Sequence, residues 1–198
     1  MESEFDNFRF FMHESFLYVV AIGLKNENYK FVEELLYSSY LFQEKYEYGT
    51  EPQKFEKLYK YISIIDPYYK ETFSQNYLSP MADLIIKRIP DWMTIDNIID
   101  ADLLCYYIAV LENIYWFPLT YIYRTRGRFE LFEHLVSLRY FEKVKILFNV
   151  NTVKELQEKL NEIKQNDKTP ERIGYSGSFN RVIPIYDQID ISKIGTIR

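Results

Sequence analysis

Residues 94–114 read TIDNIIDADLLCYYIAVLENI. Thr94 stands as a side-chain cap at the head of an uninterrupted run. Asp96 falls in the first turn, where the helix dipole favours a carboxylate. Ile95, Ile98, Ile99, Leu103, Tyr106, Val110 and Ile114 recur at steps of three and four, so they share one helix face. The stretch predicts a helix over 95–114 with that face inward.

The same period extends upstream. Residues 4–25 carry Phe5, Phe8, Met12, Phe16, Val19 and Ile22 as a predicted inner stripe. Their second half, FLYVVAIGL, is apolar all round, the mark of a helix buried on several sides. Residues 27–46 repeat the pattern through Phe31, Leu35, Leu36, Tyr40 and Phe42. Pro52 is placed to open a helix over 52–64, with Phe55, Leu58, Tyr59 and Ile62 inward. Asp66-Pro67 marks a break. Ser79-Pro80 pairs a cap with Pro at the first helical position, and that helix stops before Pro90.

Downstream the character changes at Tyr115. Residues 116–124, WFPLTYIYR, are aromatic and β-branched, which predicts a short edge strand or extended segment, after which Phe129 either begins a second short strand, giving a hairpin, or leads directly into a helix. Residues 131–148 read as one helix bearing Phe132, Val136, Tyr140, Val144 and Leu147. Thr152 and Glu155 match a capping box ahead of Val153, Leu156, Leu160 and Ile163. Residues 165–181 are polar with Gly, Ser and Pro, a loop or linker. The Ile-spaced tail is expected to dock on the domain as an extended strip, the alternative being that it binds a partner. The fold class is therefore mostly α: a multi-helix bundle with a small β-hairpin near residues 118–130. The expected organisation is a helical domain over 1–165, with a loop and extended tail over 166–198 packed on it.

Composition narrows the function. The chain has 198 residues, a formal charge of −5 and 18% aromatic residues, with 19 Tyr and 15 Phe. It is too apolar for a disordered chain. One Cys excludes a disulfide scaffold and an all-Cys zinc site. The abundance of Phe, Tyr, Ile, Asn and Lys beside scarce Gly, Ala, Arg and Pro is what AT-rich codons write, so most aromatics are read as core. No basic leader opens the sequence and no apolar run approaches the ~20 residues of a membrane span, so a cytoplasmic protein away from membranes is expected.

The residues point to no catalytic set. His13-Glu14 lacks the second His one turn on that a zinc peptidase needs, because residue 17 is Leu17. Cys105 sits in an apolar run, the setting of an inert core thiol. Gly174–Ser178 has the wrong spacing for a serine nucleophile elbow, and no phosphate-binding glycine loop is present. No cofactor and no metal are expected. A metal-dependent or hydrolytic enzyme built on His13, His134 and nearby carboxylates stands only as a further alternative.

The sharpest local feature is basic. Residues 124–145 hold six Lys and Arg against three Asp and Glu, in a chain otherwise acidic. Arg124, Arg126 and Arg128 share one face if the segment is extended. Tyr121 and Tyr123 lie beside them, with Arg139 and Lys143 on the next helix. Tyr and Arg are enriched at protein-binding hot spots. The same residues suit a phosphate backbone with stacked bases, so nucleic acid is the alternative partner.

The segment WFPLTYIYRTRGRFELFEHLVSLRYFEKVKILFNV, with MHESFLYVVAIGLKNENYKFVEELL upstream, resembles a helical module at the carboxyl end of larger bacterial proteins of phage-defence type. The resemblance covers roughly residues 9–150 and the closing IDISKIGTIR. It implies a non-enzymatic interaction or sensing role within an assembly, with another protein, or another domain of that assembly, as partner. Homo-oligomers are compatible with it.

Overall fold

The computed structural model describes residues 6–41, 52–59, 62, 65, 79–124, 129–166 and 183–198. The fold is mostly helical. Among the described residues α1 spans Asp6–Lys25, α2 Tyr29–Tyr37, α3 Pro80–Lys87, α4 Ile95–Glu112, α5 Glu130–His134, α6 Leu138–Val144, α7 Val153–Asn166 and α8 Ile185–Gln188. One two-stranded antiparallel sheet joins β1 (Tyr40–Leu41) to β2 (Pro52–Gln53), with Tyr40 opposite Gln53 and Leu41 opposite Pro52.

Helix α4 is the axis of the core. Its Thr94 side chain accepts from the Asn97 amide, and Asn97 returns the bond to the Thr94 amide, closing a capping box. Every residue from Ala101 to Val110 is buried. The predicted inner stripe is therefore only part of what α4 hides, and its first member, Ile95, is exposed. Helix α1 lies along α4, and α2 packs on α1 where Gly23 brings them together. A Cβ built at Gly23 would stand 2.5 Å from Val32 Cγ2, so only glycine permits that approach.

Several predicted elements differ, each for a tertiary reason. Helix α2 ends at Tyr37 because Ser38 turns extended and the chain enters β1. Tyr40 then ties back through its hydroxyl to the Leu35 carbonyl, 2.6 Å away. The expected 52–64 helix is instead strand β2 followed by a 3₁₀ turn at Phe55–Leu58. Among the described residues the sheet pairs 40–41 with 52–53, and Phe129 leads directly into α5; residues 125–128 lie outside the described residues. Residues 119–123 form a 3₁₀ helix rather than an edge strand.

The predicted 131–148 helix is broken into α5, α6 and a 3₁₀ turn at Lys145–Phe148. Ser137 caps α6 by accepting from the Tyr140 amide at 3.3 Å. The chain's last turn supplies the other partners. Gly195 donates to the Leu135 carbonyl, Ile197 to that of Val136, and the Leu138 amide donates to Ile197 at 2.7 Å. Ser137 and Ile197 form a parallel bridge. The Thr152–Glu155 capping box of α7 is present in both directions. Ile185, Ile189 and Ile194 are buried.

Gly195 makes that last contact geometrically. Its φ is +67°, and an added Cβ would lie 2.7 Å from Val153 Cγ2. Gly195→Ala is expected to cost about 1–2 kcal/mol, read by urea denaturation. Unchanged stability would show that the tail yields without cost.

Candidate interaction surface

The tyrosine-arginine segment folds inward more than its sequence suggests. Tyr121, Tyr123 and Arg124 are all half-buried. The Tyr123 hydroxyl donates to Asp83 at 3.1 Å, and Asp83 also pairs with Lys87 at 2.7 Å. The Arg124 guanidinium lies 5.8 Å from the centre of the Tyr121 ring, with both terminal nitrogens buried. Arg126 and Arg128 lie outside the described residues, as do Gly174–Ser178. Arg139 is exposed on α6, and Lys143 pairs with Glu27 at 3.4 Å. Arg139 and Lys143 thus share α6, while Tyr121 to Arg124 tuck beside α3 and α4.

A buried polar chain runs beneath that segment. Asp102, fully buried on α4, accepts from Trp116 Nε1 at 2.7 Å, the Thr120 amide at 2.8 Å and Thr120 Oγ1 at 2.7 Å. The carboxylate caps the 3₁₀ helix from another element, since Pro118 offers no side-chain cap of its own. Burial pushes the Asp102 carboxyl up to about 6, against the pull of Thr120 and Trp116. Against the indole face, His13 stacks at 5.1 Å and meets Tyr59 edge-on at 5.4 Å. Burial drives the His13 pKa down to about 3, with the Leu58 backbone pulling upward. Its ring nitrogens have no well-formed hydrogen bond, so His13 is a neutral aromatic core residue.

Neighbouring Glu14 bonds Arg88 at 3.0 Å and contacts the Tyr18 hydroxyl at 3.3 Å. Cys105 is wholly buried, and desolvation holds its thiol well above the ordinary value. It is inert by the rule that thiolates are the reactive form.

His134 stands in a different setting, exposed and edge-on to Tyr140 at 5.1 Å. It lines a cleft of about 310 Å³ with Lys25, Tyr29, Asp100, Glu130 and Tyr140. The Tyr29 and Tyr140 hydroxyls meet there at 3.3 Å. Among the described residues no group of three or more His, Cys, Asp or Glu could hold a metal ion. No helix among them is long and apolar enough to cross a membrane.

The unexpected feature is the outer face of α1. Its core side is Phe10, His13, Phe16, Leu17, Val20 and Ala21. Three residues predicted to point inward point outward instead: Phe8 is 65% exposed, Met12 42% and Ile22 36%. Phe11 joins them at 59%. Ser15 and Val19, on the same side, are half-buried. A helix in this position ordinarily carries charged residues outward. Here positions 8, 11, 12, 15, 19 and 22 carry none.

No family model matches the sequence, and neither a curated protein nor a solved structure matches the chain. The signal for α1 was present in the sequence as apolarity on both faces, and of the stripe the period chose Phe16 lies in the core while Phe8, Met12 and Ile22 face outward.

Proposed function

We propose that the chain is a non-enzymatic protein-interaction module whose contact surface is the outer face of α1. The observation that carries this reading is the pairing of Phe8, Phe11 and Met12 on the outer face of one helix, each more than two-fifths exposed. Aromatic residues and Met are enriched at interface centres, where charged residues are depleted. Contiguous apolar surface of this kind marks interaction sites on soluble domains. The setting supported by the sequence resemblance is a bacterial phage-defence assembly.

The nucleic-acid alternative has less support. Lys143, Lys145, Lys87, Arg88 and Lys54 each pair with a carboxylate, and the Arg124 nitrogens face inward.

A photo-crosslinking residue at position Phe11, compared with one at exposed Lys154 on α7, tests the reading in cells. Crosslinked products are expected at Phe11 and absent at Lys154, and Met12→Glu should abolish them. Equal or no crosslinking at the two positions would overturn the α1 surface.

A further inference from the structure

The cleft of about 310 Å³ beside His134 stands apart from the outer face of α1, and none of the outward α1 residues line it. Parts of α1, α2, α4, α5 and α6 meet around it. Its apolar lining includes Ala21, Phe129 and Leu131, all buried. Tyr29 and Tyr140 add two rings, set edge to face at 6.4 Å.

The charge of the lining is mainly negative. Glu27, Asp100 and Glu130 stand there with Lys25. The Lys25 ammonium is engaged elsewhere, bonded to the Trp92 carbonyl at 2.6 Å and 5.9 Å from the centre of that indole. Glu27 is shared with Lys143 in an exposed pair at 3.4 Å, a contact worth little. Burial, then the Tyr29 hydroxyl, then Glu27 and Glu130 hold the Tyr140 hydroxyl above its ordinary value. The last two causes mean that negative potential reaches the ring hydroxyls, and the same potential attracts a cation.

That cation is organic rather than a metal. Among the described residues no three His, Cys, Asp or Glu are gathered to share an ion. Carboxylates set around apolar walls and aromatic rings suit a larger cation with an apolar body. A carboxylate accepts up to about four bonds, so a ligand N–H joins the contacts it already makes. The volume equals about ten waters at roughly 30 Å³ each, room for an amine the size of phenethylamine.

We propose that the cleft binds a small organic amine in its protonated form, with its apolar stem against Phe129 and Leu131 and its ammonium toward Glu27 and Glu130. An anion of the same shape would meet the carboxylates, and a neutral analogue would lose the charged hydrogen bonds.

Calorimetric titration of the full chain at pH 7 and low salt tests this. Phenethylamine is expected to bind about tenfold more tightly than phenethyl alcohol, the worth of a charged hydrogen bond. Added salt should weaken the amine and leave the alcohol unchanged. Glu27→Gln and Glu130→Gln should each weaken the amine severalfold, with circular dichroism showing both folded. Glu158→Gln, on exposed α7, should leave it unchanged. Nα-acetyl-lysine methylamide, which presents the ammonium of a protein side chain, should bind less tightly than phenethylamine.

No amine binding, equal binding of amine and alcohol, or an equal loss in Glu158→Gln would overturn the site. Tighter binding of the lysine probe would overturn the free amine as its ligand. Each of these outcomes leaves the α1 reading as it was, because the two surfaces share no residue.

Discussion

Asp102→Ala is expected to lower the unfolding free energy by about 3–5 kcal/mol, making it the most damaging single change in the core. The carboxylate receives three hydrogen bonds, from Trp116 Nε1 and from the amide and hydroxyl of Thr120. All the groups involved are buried. Alanine leaves three buried donors without their partner, and each such donor costs about 1–3 kcal/mol. Fluorescence during urea unfolding reports the loss directly, because Trp116 is one of only two Trp residues and lies wholly inside. A cost below about 1 kcal/mol would mean that the segment after α4 is held by packing alone.

The second large effect is one of pH. His13 has its pKa lowered from 6.5 to about 3, so folding keeps it neutral while the unfolded chain would take a proton. Its contribution is complete above 6.5 and is lost as pH falls toward about 3. Asp102 runs the other way. Its pKa is raised from 3.8 to about 6, so its contribution is complete below 3.8 and is lost as pH rises through about 6. The full spans correspond to about 5 kcal/mol for His13 and about 3 kcal/mol for Asp102.

Between about pH 4 and 6 the two slopes oppose each other, and their sum is flat. The variants separate them. Relative to the wild type, His13→Phe should lose stability as pH rises across that window. Asp102→Asn should gain stability as pH rises from about 3 to 6.5. Urea midpoints measured across this range decide the matter. Profiles parallel to the wild type in both variants would show that neither group titrates with folding.

Local chemistry was legible in the sequence wherever it was self-contained. The Thr94 cap, the Ser79-Pro80 start and the Thr152–Glu155 box are written within four residues, and all three are present. What was not legible depends on distant partners. Residues 116–124 have strand composition, but Asp102, eighteen residues before Thr120, draws them onto α4 as a 3₁₀ helix. The helix predicted over 131–148 loses its middle to Ser137 and to bonds from residues 195–197. On α1 the period correctly announced a helix. It could not choose between two apolar faces, and exposure in the fold made the choice. The arginine cluster was plain in the sequence, yet the inward turn of Arg124 depends on Tyr121 and on packing that composition does not encode.

The break at Ser137 also fixes an order of events. The backbone groups of Leu135, Val136 and Leu138 find their partners in Gly195 and Ile197, about sixty residues further along the chain. On a growing chain these groups are made long before their partners exist. Until residues 195–197 arrive, the Leu135 and Val136 carbonyls and the Leu138 amide in the turn between α5 and α6 lack these partners. Residues 195–197 are therefore the segment that covers these groups, and the time until they are made sets how long a growing chain leaves them open.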